Sequence, residues 1–139
     1  QKPNDFRQNL EAVGCFVVWR ERILMLKRVP DDDYPNQWGF PSGKIKKGEG
    51  PTGAMFRELR EETGLRVSYL IPLGMGFVVY PKINFLYHMY KVRLPSNHIP
   101  AIKLNPREHV AHRFDTPKNV ISATDTMEDC DLCVEFFYY

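Results

Sequence analysis

The chain opens with two short runs dense in apolar and β-branched residues, Glu11 to Trp19 (EAVGCFVVW) and Ile23 to Arg28 (ILMLKR), parted by Arg20-Glu21-Arg22. That pattern predicts a β-hairpin. Pro30 to Gln37 (PDDDYPNQ) is polar and rich in turn formers, which predicts a loop. Trp38-Gly39-Phe40-Pro41 and a Gly- and Lys-rich loop from Ser42 to Gly50 follow. From Pro51 to Thr63 the spacing becomes helical: Pro51 suits a first turn, where a missing N–H costs nothing, and Gly64 suits the position that ends the helix. Val67 to Leu73, Gly76 to Tyr80 and Phe85 to Leu94 (FLYHMYKVRL) are three further predicted strands, the last carrying aromatic and β-branched residues. A loop punctuated by Pro95, Pro100 and Pro106 leads to a short strand over Val110 to Phe114, and Met127 to Phe137 is the expected closing helix. Strands before and after one strongly marked helix indicate an α+β fold, a sheet with helices packed on it.

Composition narrows the function classes. The 139 residues are 43% apolar and 26% charged, as in globular chains, and fit one compact domain over residues 1–139. A net charge of +2 is too small for a nucleic-acid scaffold or a membrane-surface binder. No apolar run reaches the roughly 18 residues of a membrane span. The first residues, Gln1 to Arg7, lack the apolar core of a secretory signal, although the chain does not begin with Met and a trimmed precursor stays open. Three cysteines make no disulfide framework, and a reducing, cytoplasmic setting is expected. Cys130 and Cys133 have no second pair at zinc-ligand spacing and lie far from a βαβ start, so they read as reduced thiols of the last helix.

The informative segment is Gly43 to Leu65, GKIKKGEGPTGAMFRELREETGL. On a helix, Glu58, Glu61 and Glu62 share a sector of about 100°, while Met55, Phe56 and Leu59 form an apolar stripe beside it. Arg57 and Arg60 fall on the other side. Like charges at these spacings oppose one another by roughly 0.2–0.5 kcal/mol per pair. With no cation expected on that face, a hard divalent ion such as Mg²⁺, which prefers carboxylate oxygens, would relieve the repulsion. A solvated acidic face is the alternative for the helix alone. The preceding loop favours the ion: Gly43, Gly48 and Gly50 permit close backbone approach, and Lys44, Lys46 and Lys47 add the charge that a polyphosphate needs. Lys27 and Arg28 extend this patch only locally, which suits phosphate itself better than a long nucleic acid.

The same segment resembles the Nudix box, G-x5-E-x7-R-E-U-x-E-E-x-G-U with U aliphatic. Gly43, Glu49, Arg57-Glu58-Leu59, Glu61-Glu62 and Gly64-Leu65 fill all nine constrained positions within 23 residues. Trp38-Gly39-Phe40-Pro41 and Pro106-Arg107-Glu108-His109 look familiar beside it. The resemblance implies an α/β/α sandwich with a mixed β-sheet and a loop-helix-loop catalytic motif. It also implies hydrolysis of nucleoside diphosphates linked to another moiety, by water attack on phosphorus assisted by Mg²⁺ or Mn²⁺. Carried over by position, Glu58 and Glu62 are metal ligands, Glu61 acts directly or through water, and the Gly43 carbonyl is a further ligand. Arg57 and Glu49 hold the loop against the helix and orient the carboxylates. The general base is Glu58 or a carboxylate outside the box, with Glu108 the candidate. His109 and His112 are read as structural or solvent-facing.

The substrate expected is a small nucleotide, a (deoxy)nucleoside triphosphate or a dinucleoside polyphosphate, taken by a monomer or homodimer. Pro81, 16 residues beyond Leu65, has the spacing of a marker of ADP-ribose hydrolases, but Tyr80-Pro81-Lys82 does not resemble their context. ADP-ribose or nucleotide-sugar hydrolysis, a silent nucleotide sensor and removal of 5′ phosphates from RNA remain as alternatives. Lys44, Lys46, Lys27 and Tyr80 are the expected substrate contacts; Tyr34, Phe77 and Tyr87 are further aromatic candidates that core packing explains as well.

Overall fold

A computed structural model describes residues 8–32, 34–79, 83–127 and 130–138. Seven strands form one mixed sheet: β1 (Gln8–Trp19), β2 (Arg22–Arg28), β3 (Trp38–Gly39), β4 (Ser42–Lys44), β5 (Ile71–Val79), β6 (Ile83–Arg93) and β7 (His109–Asp115). The order is β3-β2-β1-β6-β5, with β4 added on β1 and β7 on β2. β1 runs parallel to β6 from Gln8↔Ile83 to Val18↔Arg93, while the other pairings are antiparallel. The expected hairpin turns through Arg20 and Glu21, both at positive φ. Neither is glycine, so the turn needs outside support. Arg20 Nε donates to Ser96 O at 2.9 Å, and Glu21 pairs with Arg93 at 2.5 Å.

β1 and β2 pair directly only at Val18↔Ile23 and Trp19↔Arg22. Beyond the hairpin they part: β4 takes up Ala12 to Gly14 of β1, and β3 and β7 take up β2. Pro41, which has no N–H, offers its carbonyl to Cys15 N–H at 3.1 Å inside this split. The split is where the acidic helix meets the sheet.

Central strands are buried on both faces, as expected of apolar runs without polar alternation. On one face Val13, Cys15, Val17, Leu24, Leu26, Tyr90 and Val92 pack under Ala54, Met55 and Leu59 of α1 (Pro51–Thr63). On the other, Phe16, Val18, Ile23, Met25, Trp38 and Met89 pack with Val120 of α2 (Pro117–Ser122), Cys130 of α3 (Cys130–Cys133) and Val134 of a π-helical turn (Val134–Tyr138). The result is the expected sandwich of helices around a mixed sheet. Full burial of a side chain such as Leu59 contributes about 1.5–3 kcal/mol, so the apolar stripe of α1 anchors the acidic edge beside it.

α1 has the expected bounds. Pro51 stands in its first turn, and Gly64, at φ 74°, ends it with an N–H donated to Arg60 O at 3.0 Å. Elsewhere the structure corrects the sequence reading. The two strands expected over Val67–Leu73 and Gly76–Tyr80 are one strand, β5, interrupted by a bulge between Pro72 and Gly74. Leu65, Val67 and Leu70 precede it and pack against the α1 cluster. α2 was not foreseen, although Thr116 caps it by accepting from Asn119 N–H at 3.2 Å and Pro117 opens it. Met127 belongs to no helix: its N–H donates to Trp38 O at 2.8 Å, so it pins β3. Among the described residues no helix is long and apolar enough to cross a membrane.

Candidate functional site

β4 lies beneath α1 at the split, and its three residues meet Glu62, Glu58 and Arg57 of the helix. Ser42 N–H donates to Glu62 Oε1 at 2.9 Å. A Cβ at Gly43 would collide with the Glu58 carboxylate, so the absent side chain makes the room that Glu58 occupies. Lys44 gives its carbonyl to Arg57 Nη2 at 3.1 Å.

Arg57 organises the loop. Its Nε and Nη2 grip both oxygens of Glu49 at 2.6 and 2.9 Å, and Glu49 Oε1 also accepts from Lys46 N–H at 2.9 Å. The Arg57 guanidinium holds the Glu49 carboxyl down to about 2. Nη1 of Arg57 continues to Glu58 Oε1 at 2.8 Å and Glu61 Oε1 at 3.1 Å. This corrects the helical-wheel reading, which put Arg57 on the far side: a long side chain reaches round the helix to its neighbours at i+1 and i+4. Among the described residues, no three His, Cys, Asp or Glu side chains stand together as a ready metal cluster. The guanidinium among Glu49, Glu58 and Glu61 is the cation that organises them here.

Glu62 is only 4% exposed. Burial pushes its carboxyl well above the usual range, Glu58 and Glu108 push it further, and Ser42 N–H and Arg28 oppose the shift. Burial likewise raises Glu58, against the pull of Arg57, with Glu61 and Glu108 adding to it. Glu58 thus adds to the shift of Glu62, and the two partly or wholly buried carboxylates form a hard-oxygen set. With the close approach of Glu58 to the Gly43 backbone, this set fits a hard divalent cation.

Glu108, in the loop before β7, is exposed and accepts from Asn105 Nδ2 at 3.0 Å, yet its charge is felt by both Glu58 and Glu62. It therefore joins the site's electrostatics. His109 beside it is 4% exposed, with Nδ1 buried and without a hydrogen-bond partner, and its ring is held neutral down to about pH 4 by burial and by Arg28.

The lysines fare differently. Lys44, at the end of β4, and Lys46, in the loop that follows, are both exposed. Lys27 is placed with its Nζ 6.0 Å from the centre of the Trp38 ring, on the sheet face away from α1. Arg28, one residue on, supplies positive charge near Glu62 and Glu108 instead, and is itself gripped by Asp32. Sequence reasoning missed Asp32 and Ser42: the first sat in a run of turn formers, and the second contributes only its backbone. Tyr80 and Pro81 lie outside the described residues. Tyr34 is exposed on a loop, and Phe77 is exposed on β5.

Comparison with known proteins adds the wider context. The family model described as NUDIX domain matches residues 8–130. The chain is 31% identical over 95 residues to Nudix hydrolase 26, chloroplastic, of Arabidopsis thaliana, covering 68% of this chain and 42% of that protein. It is 40% identical over 63 residues to an RNA pyrophosphohydrolase of Bartonella tribocorum, covering 45% of this chain and 36% of that one. The chain thus spans less than half the length of these two relatives. In structure it resembles a MutT protein from Methanosarcina mazei Go1, with a TM-score of 0.80 at 16% identity over 93% of this chain and 94% of that one.

Proposed function

Because the chain belongs to the Nudix family, whose domain spans residues 8–130, we propose that it is a pyrophosphohydrolase that cuts a phosphoanhydride bond in a small nucleotide with Mg²⁺ or Mn²⁺. Nudix hydrolases generally use divalent metal ions. The observation that carries the proposal is the convergence of the Glu58 and Glu62 carboxylates on Gly43 and Ser42 of β4, both raised by burial and by nearby carboxylates.

Glu58, Glu62 and the Gly43 carbonyl would hold the cation, with Glu61 directly or through water. The cation supplies Lewis acidity and neutralises diphosphate charge. The protein does the rest. Arg57 and Glu49 fix the loop so that the carboxylates keep their places. Lys44, Lys46 and Arg28 take phosphate oxygens from two sides. A carboxylate, Glu58 or Glu108, orients the attacking water and accepts its proton as the water oxygen bonds to phosphorus and the bridging P–O bond breaks. The substrates proposed are (deoxy)nucleoside triphosphates or dinucleoside polyphosphates, acted on by one domain in a cytoplasmic setting.

A second reading, removal of 5′ phosphates from RNA, is favoured by the 40% identity to an RNA pyrophosphohydrolase. The basic residues beside the site are few, which suits a short 5′ end better than a long duplex. One experiment separates the readings: ATP, dGTP, diadenosine tetraphosphate, ADP-ribose and 5′-triphosphorylated RNA, each with Mg²⁺ or Mn²⁺, followed by phosphate or pyrophosphate release and product mass. Cleavage that persists in Glu62→Gln rejects the site; no cleavage of any member rejects the activity.

A further inference from the structure

Arg28 ends β2 in a grip that its neighbours do not have. Nε donates to Asp32 Oδ1 at 2.7 Å and Nη2 to Asp32 Oδ2 at 2.8 Å. Asp32 is fixed in turn by Tyr34 N–H, which donates to Oδ1 at 3.0 Å, and by its own N–H, which donates to Val29 O at 3.3 Å. Val29 N–H meets Glu108 O at 3.1 Å, so the turn is tied to the loop before β7. The two side chains are 24% and 16% exposed. A bidentate, turn-anchored and largely covered pair is not the loose surface ion pair that contributes little.

A guanidinium is a rigid fork of five N–H donors, and a fork held along one edge presents the other in a fixed direction. Asp32 takes Nε and Nη2; Nη1 has no hydrogen-bond partner among the described residues. Beyond Asp32, the charges that Arg28 feels are Glu62 of α1 and Glu108 of the loop. Without Asp32 the guanidinium would be drawn onto these carboxylates, where it would compete with any cation there. Asp32 therefore keeps Arg28 beside the carboxylates without letting it neutralise them.

We infer that Asp32 is a positioning residue, whose grip presents the remaining edge of Arg28 to a phosphate of the substrate beside Glu62 and Glu108. This rests on the pyrophosphohydrolase reading above. It adds a residue outside the helix and its loop to the machinery, and explains why a carboxylate stands so near an already acidic site.

A double-mutant cycle with the fastest-cleaved nucleotide of the panel tests it. Asp32→Asn keeps the shape but turns one acceptor into a donor facing Nη2. Expected is a rise in KM of about tenfold with kcat changed less than about threefold, the size of a lost charge-assisted contact to bound substrate. In the Arg28→Lys background, where there is no fork to position, the same change should add less than about twofold. Asp32→Ser, which can still accept from Tyr34 N–H, replaces the Asn variant if melting curves show the latter unfolded. An unchanged KM, or losses that multiply independently in the double variant, overturns the inference while leaving the hydrolase reading in place. A parent chain that cleaves no member of the panel overturns both.

Discussion

Ser42 N–H and Glu62 Oε1 stand 2.9 Å apart, joining the first residue of β4 to the last turn of α1. Among the described residues one backbone donor is all that this buried carboxylate receives directly, and it is too little to offset burial, so its proton is held well above the usual range. The sign of the consequence is definite. An acid whose folded pKa lies above its unfolded value stabilises the fold only at low pH, and that contribution is lost as pH rises from the unfolded value of about 4.5 through the folded one.

Without metal, the Glu62 contribution to stability should therefore fall as pH rises above about 4.5, read as the melting-temperature difference between the parent and Glu62→Gln, and Mg²⁺ should restore it by binding the folded form. Glu62→Gln keeps an oxygen for Ser42 N–H and removes the charge. In chelator near neutral pH it should melt higher than the parent, by roughly 3 °C or more, show little response to Mg²⁺, and lose turnover by orders of magnitude. Scanning fluorimetry with and without Mg²⁺ reads the first two. A variant less stable than the parent, yet still steadied by Mg²⁺, would show that Glu62 is not the strained ligand.

Gly43 is a test of space rather than charge. It is not among the glycines at positive φ, so alanine fits its backbone, but the added Cβ would collide with the Glu58 carboxylate. The end of a flexible side chain can move aside. Gly43→Ala should thus fold with a melting temperature within a few degrees of the parent, while Mg²⁺-dependent kcat/KM drops about tenfold or more, as for displaced metal-site geometry. Gly48 gives the contrast: it has open space but a φ of 86°. Gly48→Ala should cost about 1 kcal/mol of stability. If Gly43→Ala kept full activity, Glu58 would not need its present place.

How far these features were legible in the sequence follows from their range. Pro51, Gly64 and the stripe of Met55 and Leu59 fix α1 through contacts within a few residues, and its bounds could be read directly. Nine box positions did the same for the family. The reach of Arg57 to Glu58 and Glu61 could not be read from a helical wheel, which places Cα atoms and ignores the length of a guanidinium side chain. The sequence suggests two strands where β5 is one, because the bulge between Pro72 and Gly74 leaves no mark but that proline and glycine. Arg28 and Asp32 are four residues apart with no helix to make that spacing meaningful, so only the folded turn shows them as a pair.

Arg57 makes contacts with four partners: Glu49, Glu58, Glu61 and the Lys44 carbonyl. Arg57→Lys keeps the charge but cannot grip Glu49 with two nitrogens while reaching the others. Turnover should fall roughly 10- to 100-fold with a smaller change in KM, because the loop and carboxylates lose their alignment rather than their chemistry. Steady-state kinetics at saturating Mg²⁺ reads this. A loss seen only in KM would make Arg57 a substrate contact instead.

His109 is expected to contribute to the acid limit of the fold. Its ring is buried at the start of β7 beside Arg28, and burial and that guanidinium together lower its pKa from 6.5 to about 4. A base with a depressed folded pKa is neutral in the fold while the unfolded chain takes up its proton, so stability is lost as pH falls from about 6.5 and the loss is complete below about 4. The ceiling for a shift of this size is about 3 kcal/mol. Raised carboxylates such as Glu62 act in the opposite sense above about pH 4.5, since their protonation favours the fold. The two effects separate by mutation: His109→Leu should flatten the loss between pH 6.5 and 5, leaving the gain from the carboxylates exposed below it, and should leave the Mg²⁺ response intact. Urea titrations across that range measure the difference. If the variant lost stability with acid as steeply as the parent, the acid sensitivity would belong to another group, and the buried, unpartnered Nδ1 would have no part in it.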